Sequence, residues 1–386
     1  MDTEFDDDLT FTPFEAAPSR LIIDLEALAD NWRMLRSASG KARTGAAVKG
    51  DGYGLGIEAV VPTLYDAGCR DMFVATPDEG MLARQFAPDA RIYVLSGVWP
   101  GVEGQFFSHD LVPVLISEEQ IACWTNAVAF GDERPCAVMV DTGMNRLGLS
   151  VDEALALADD PTRPASFAPV LLMSHLACAS DPQHALNRKQ LESFQTLAAA
   201  YEGVDSSLAN SPGIFLGRDY HFDLTRPGIA IYGGEAVDGA SNPAQPVVTA
   251  ETRILQIRQA KAGEPVSYGA THVLTRDSRL AIVSSGYADG YHRSLSGSGV
   301  PLRQAVQQGG FGFIAGHRVP VVGRITMDLT IFDVTDVPEA EARAGDYIEL
   351  FGRNVLLDEA ARAAGTIGYE LLTSLGNRYQ RDYIGG

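Results

Sequence analysis

The sequence predicts an α/β protein, a (β/α)8 TIM-type barrel followed by a mostly β C-terminal domain. Eight short apolar runs, at residues 44–48, 72–75, 92–95, 112–116, 137–141, 170–175, 206–209 and 229–232, are continuous more than alternating. That is the pattern of strands covered on both faces. Several of the gaps, at 57–65, 77–86, 118–129, 151–158 and 187–201, place apolar residues three or four apart, as amphipathic helices do. The pattern then changes after residues 233–246, a stretch rich in Gly, Ala, Pro, Ser and Asn that reads as a boundary.

Beyond it, residues 247–258, 266–274, 280–285, 319–322, 327–334 and 347–351 are β-like and separated by Gly and Asp turns. Only 355–364 and 369–375 look helical. The expected organisation is an acidic N-terminal tail over 1–19, a barrel over 20–240 and a β-rich domain over 241–386. On pattern alone, an open doubly wound sheet is the alternative to the barrel.

A chain of 386 residues can bury a sizeable core, and 46% hydrophobic with 21% charged residues is ordinary globular composition. Fifty acidic side chains against 30 basic ones give a net charge of −20, which argues against a surface that neutralises nucleic-acid phosphates. Cys69, Cys123, Cys136 and Cys178 are scattered and form no CxxC, so neither a disulfide framework nor a zinc ribbon is expected, and a reducing cytoplasm fits. The acidic start (Asp2, Glu4, Asp6, Asp7, Asp8) is unlike a secretory signal. The longest uncharged stretch, 164–180, carries two prolines and a histidine. It reads as a buried strand with flanking loops, not as a membrane span.

Common catalytic motifs fail. The run Gly50-Asp51-Gly52-Tyr53-Gly54-Leu55-Gly56 matches neither the dinucleotide fingerprint nor the Walker pattern. No GxSxG elbow or HExxH helix occurs, and the seven histidines share no metal-like spacing, so no metal is expected. What the glycines surround is Lys49, directly after the apolar run Gly45-Ala46-Ala47-Val48. Strand C-terminal ends are where barrels carry catalytic groups. A lysine in a partly dry pocket there has a depressed pKa and can form a Schiff base with a carbonyl. A solvated lysine beside a flexible turn is the other reading of this motif alone.

The segment Ala47-Val48-Lys49-Gly50-Asp51-Gly52-Tyr53-Gly54 resembles the pyridoxal-phosphate lysine motif of alanine racemases. The resemblance continues in order through Asp141-Thr142-Gly143-Met144-Asn145-Arg146, Ser174-His175-Leu176-Ala177, Ala209-Asn210-Ser211 and Arg226-Pro227-Gly228-Ile229. In the second part follow Ser267-Tyr268-Gly269, Gly286-Tyr287-Ala288-Asp289-Gly290, Gly323-Arg324-Ile325-Thr326-Met327-Asp328 and Gly368-Tyr369-Glu370. Together they run from about residue 20 to 380.

The resemblance implies an isomerase, pyridoxal 5'-phosphate as cofactor, and a role for each matching residue. Lys49 would hold the cofactor and serve as one acid/base, and Tyr268 would be the second base. Tyr53, Ser211, Gly228, Ile229 and Tyr369 would bind the phosphate, while His175 and Asn210 would line the cofactor. Arg226 would face the pyridine nitrogen, where a guanidinium that keeps its proton leaves the ring a weaker electron sink. Arg146, Met327 through its N–H, and Asp328 would meet the substrate carboxylate. An arginine beside Tyr268 would favour phenolate, which an ordinary tyrosine needs to act as a base near neutrality. The resemblance also implies a homodimer with shared sites, acting on L- and D-alanine to supply D-alanine for peptidoglycan. A broad-specificity racemase or a decarboxylase of the same fold is the alternative. A non-catalytic cofactor carrier would resemble the barrel alone. One departure stands out: many relatives carry a carbamylated lysine where this chain has Met139. A smaller one is Thr326, where cysteine is frequent.

Overall fold

The computed structural model describes residues 12–128, 134–164 and 166–386. Residues 1–11 of the expected tail, Ala129 of the helix expected at 118–129 and Ala165 of the uncharged stretch lie outside the described residues. The chain divides into two compact units: residues 25–247 with the last two residues, and the N-terminal segment to Asp24 with 248–384.

In the first unit seven parallel strands neighbour one another in chain order: Ala46–Ala47, Asp71–Val74, Arg91–Val94, Leu111–Leu115, Pro135–Met139, Ala168–Met173 and Asp205–Ser207. Helices follow most of them, and their starts are written in the sequence. Thr76 caps Pro77–Phe86, Ser117 caps Glu118–Ala127, and Ser150 with Glu153 forms a capping box on Val151–Asp159. Phe73, Tyr93, Val112, Val114, Ala137, Met139, Leu171, Met173 and Leu224 pack together as a core cluster. Such inward layers of apolar side chains make a barrel a filled core instead of a pore.

The eighth strand is not where the apolar run at 229–232 predicts it. It is Leu224–Thr225, which pairs in parallel with Arg43–Thr44. Main-chain bonds from Asp223 N to Ser206 O (3.0 Å) and from Arg226 N to Ala209 O (2.8 Å) tie this segment to the last strand. Bonds from Gly45 N to Thr225 O and from Ala47 N to Pro227 O, both 2.9 Å, tie it to the first. Residues 229–232 are fully buried but form a turn, in which Ile231 N and Tyr232 N bond back to Gly228 O and Ile229 O. Burial of a turn and burial of a strand leave the same hydrophobic signature.

The second unit is built on the long strand Val248–Ala260, which pairs antiparallel with Ser19–Asp24, Tyr347–Phe351 and Ser278–Val283. Ser19–Asp24 also pairs in parallel with Gln380–Ile384. This first strand therefore belongs with the β-rich unit, not with the barrel as a boundary at residue 20 would have it. Its burial alternates, with Leu21 and Ile23 buried and Arg20 and Ile22 only partly so. That suits a sheet covered on one face. Arg20 crosses to Glu251 at 2.7 Å on the less buried side. The β-like run at 266–274 breaks into Pro265–Val266 and His272–Val273, with a 3₁₀ turn over Tyr268–Ala270 between them.

Candidate active site

Lys49 begins a short turn whose backbone is left-handed. Gly50, Asp51, Gly52 and Tyr53 have φ values of 65°, 55°, 60° and 56°. Left-handed backbone costs about 1–2 kcal/mol at a non-glycine residue, so alternating glycines halve the strain and Asp51 and Tyr53 bear the rest. Asp51 is held by its own groups: its Oδ1 accepts from Ile57 N at 2.8 Å and its carbonyl from Gly56 N at 2.9 Å. At Gly52 a Cβ would stand 3.0 Å from Val60.

The turn aims Tyr53 inward, where its ring stacks on Tyr232 at 4.4 Å. Its hydroxyl ends at Gly228, where an added Cβ would lie 2.2 Å from Tyr53 Oη. Gly228 N donates to Ser211 Oγ at 2.8 Å, and the Ile229 N–H has no partner among the described residues. The Tyr53 hydroxyl, Ser211 Oγ and the Gly228 backbone thus meet at a spot only glycine can border, polar groups of the kind suited to a phosphate. Ser211 opens the short helix Ser211–Phe215, capped by Asn210, whose Oδ1 accepts from Gly213 N at 3.1 Å.

The amide of Asn210 contacts His175 Nε2 at 3.4 Å. Burial, then Arg226, Arg146 and Lys49, push the His175 pKa down to about 3, so the ring is neutral. Arg226 is buried with no carboxylate partner among the described residues, and burial lowers its pKa to about 9, which still leaves it charged at neutral pH. Its Nη1 donates to Ser207 Oγ and its Nη2 to the Ser174 carbonyl oxygen. The Lys49 pKa is lowered by burial first and by Arg146 second, against an opposing pull from Glu79.

Arg146 is exposed, on a loop shaped by Asp141. That carboxylate accepts from Gly143 N and Met144 N at 2.8 Å and from Arg146 N at 2.7 Å. Although partial burial works the other way, these bonds hold the Asp141 pKa down. The Arg146 guanidinium has no partner among the described residues. Met139 lies in the barrel's apolar core cluster and offers it no polar atom. Sequence reasoning gave Asp141 no role; an Asp with Gly two residues on is the turn signal that could have found it.

The remaining site residues are in the second unit. Tyr268 is 73% exposed, and its hydroxyl has no partner among the described residues. Its loop is rigidly specified: Ser267, Gly269 and Ala270 have positive φ, and Ser267 Oγ donates to Arg324 O at 2.8 Å. Met327 is exposed, and its N–H also lacks a partner among the described residues. Asp328 is joined to Arg378 at 2.7 Å, and Arg378 also grips both oxygens of buried Asp289. Tyr369 lies on the helix Gly368–Thr373.

A barrel with a partly buried lysine just past its first strand, joined to a β-rich unit that displays an exposed tyrosine, defines a protein of the two-domain barrel class. The family description "Alanine racemase, N-terminal domain" matches residues 23–236, and "Alanine racemase, C-terminal domain" matches 247–383. The alanine racemase of Rhizobium meliloti (strain 1021) is 63% identical over 373 residues, covering 97% of this chain and 98% of that one. The biosynthetic alanine racemase of Agrobacterium fabrum (strain C58 / ATCC 33970) is 64% identical over 371 residues, covering 96% and 95%. The crystal structure of alanine racemase from Bartonella henselae with covalently bound pyridoxal phosphate superposes with a TM-score of 0.87 at 37% identity, over 95% of this chain and all of that one. The chain belongs to the alanine racemase family, whose members are isomerases.

Proposed function

We propose that the protein is a pyridoxal 5'-phosphate-dependent alanine racemase that interconverts L- and D-alanine with Lys49 and Tyr268 as its two bases. The observation that carries this reading is the cluster at Gly228, where the Tyr53 hydroxyl and Ser211 Oγ close on a backbone position that only glycine can supply, next in the chain to an Ile229 N–H that no described residue takes up. When bound, pyridoxal phosphate acidifies the substrate Cα–H by drawing electron density toward its ring.

Lys49 Nζ supplies one base, its pKa lowered by burial and Arg146. Tyr268 Oη supplies the other, from the opposite face of Cα. One accepts the proton while the other delivers one, and the direction of reaction exchanges the roles. Arg226, a buried guanidinium held by Ser207 and Ser174, would meet the cofactor's pyridine nitrogen and keep its own proton. This limits delocalisation and so suppresses side reactions. Arg146 and the Met327 N–H bind the substrate carboxylate, with Asp328 and Arg378 steadying the Met327 loop. Tyr369 adds a hydroxyl to the phosphate.

In this reading the barrel binds the cofactor and the β-rich domain lends its tyrosine to the barrel of a second subunit in a homodimer. The product D-alanine serves peptidoglycan. The biosynthetic relative is 64% identical, whereas the "Alanine racemase, catabolic" of the same organism is 41% identical. A cytoplasmic setting accords with four free cysteines. Among the described residues no helix is long and apolar enough to cross a membrane.

Incubation with L-alanine in D2O, following optical rotation and α-deuterium together, tests the reading. Loss of rotation with one deuterium at Cα is expected. Release of an amine without racemisation would assign a decarboxylase instead.

A further inference from the structure

Glu79 stands at the third position of the helix Pro77–Phe86, behind the cap Thr76. In a capping box a glutamate at that position reaches back to the cap residue's own N–H. Here it does not. Glu79 Oε2 accepts from Ala75 N and Oε1 from Gly50 N, each at 2.7 Å. The carboxylate thereby bridges two neighbouring barrel strands just past their C-terminal ends: Gly50 follows Ala46–Ala47, and Ala75 follows Asp71–Val74. Gly50 is the first left-handed residue after Lys49, so this bond fixes the point at which the chain leaves the lysine.

We propose that Glu79 is a positioning residue for Lys49: its carboxylate clamps the left-handed turn that carries the lysine and sets a negative charge beside its amine. The proposal rests on the reading of Lys49 as the cofactor lysine and base. Among the described residues, the charged groups that act on the Lys49 amine are Arg146, on the loop after Pro135–Met139, and Glu79. His175, after Ala168–Met173, also faces it and is neutral. Glu79 is thus the anion that counters Arg146. A glutamine cannot replace it, because one of its two ends is a donor and would meet an N–H.

Trace acetylation of the full chain, after removal of cofactor with hydroxylamine, reads the amine of Lys49 against pH, with Lys41, Lys189 and Lys261 as internal references. Glu79→Gln should move the Lys49 midpoint to lower pH and leave the other three in place. An unmoved Lys49 midpoint, or a common shift of all four lysines, would overturn the proposal. Glu79→Asp keeps the charge but is a methylene too short to span both N–H groups. It should hold the midpoint near its original value while hydrogen exchange over residues 49–54 accelerates. Unchanged exchange in that variant would also overturn the clamp. If borohydride reduction fixed cofactor on a different lysine, the function of Lys49 would fall while the acetylation profile still reported on Glu79.

Discussion

Arg226 and Ser207 share a directed hydrogen bond. Ser207 Oγ gives its proton to the Leu224 carbonyl oxygen and so presents only lone pairs to Arg226 Nη1. The second guanidinium nitrogen is committed to the Ser174 carbonyl oxygen, whose side chain bonds Thr142 at 2.8 Å. Gln190 completes the support, donating to Thr142 Oγ1 and to the His175 carbonyl oxygen. The guanidinium is therefore fixed in plane by neutral acceptors and keeps its full charge for whatever faces it.

Replacing that charge tests its electronic role. Arg226→Glu should let the cofactor nitrogen carry a proton, so racemisation should fall while pyruvate from transamination becomes measurable. Unchanged racemisation with no pyruvate would show that Arg226 does not face the ring.

The cluster at Gly228 makes a steric prediction. Gly228→Ala places a methyl 2.2 Å from Tyr53 Oη, and overpacking of this kind costs about 1–3 kcal/mol. Cofactor affinity should weaken by roughly ten- to a hundredfold, read by equilibrium dialysis. Retention equal to the parent chain would place the phosphate elsewhere.

Borohydride reduction of the holoenzyme followed by peptide mapping should leave a phosphopyridoxyl group on Lys49. A label on Lys41, Lys189 or Lys261 would refute the assignment.

His175 makes stability depend on pH. Its pKa is about 3 in the folded chain against an ordinary 6.5, so between those values the unfolded chain binds the extra proton. Stability is complete above 6.5 and falls as pH drops, approaching about 1.4 kcal/mol per pH unit inside the window. Urea midpoints from pH 7 to 4 should fall more steeply for the parent than for His175→Gln. Parallel slopes would mean that the imidazole charges freely.

A shared site predicts complementation. Lys49→Ala and Tyr268→Phe should each be nearly inactive, and subunit exchange between them should restore about one working site per heterodimer. A mixture that stays inactive after verified exchange would place the tyrosine with its own chain's lysine.

Much of this was legible in the sequence, for reasons that differ by residue. The barrel strands from Asp71–Val74 to Asp205–Ser207 show because they are buried on both faces, and helix starts show because Thr76, Ser117 and Ser150 announce them. Leu224–Thr225 is hidden because two residues carry no periodicity, and Ile229–Tyr232 drew the assignment because a buried turn is equally apolar. The glycines after Lys49 suggested close backbone approach; the left-handed turn they permit also requires Asp51 and Tyr53 to follow, which composition does not reveal. Glu79 reads locally as a capping residue, and its bond to Gly50, 29 positions away, is visible only once adjacent strands are placed side by side.

The strand Ser19–Asp24 has a consequence for how the chain is made. Ser19 is paired with Thr252, 233 residues later, and Arg20 with Gln380 close to the end. A ribosome emits this strand before the whole barrel, yet both of its partners emerge after the barrel. Until then it travels as an unsatisfied edge with Leu21, Ile22 and Ile23 uncovered, the kind of segment that recruits foreign strands. Arg20 and Asp24, at either end of that apolar run, act as charged gatekeepers during the wait. The barrel can condense as it is synthesised, whereas the β-rich unit can assemble only after residues 248–260 and 380–384 have emerged. Removal of Gln380–Ile384 should therefore injure the sheet that holds Ser19–Asp24.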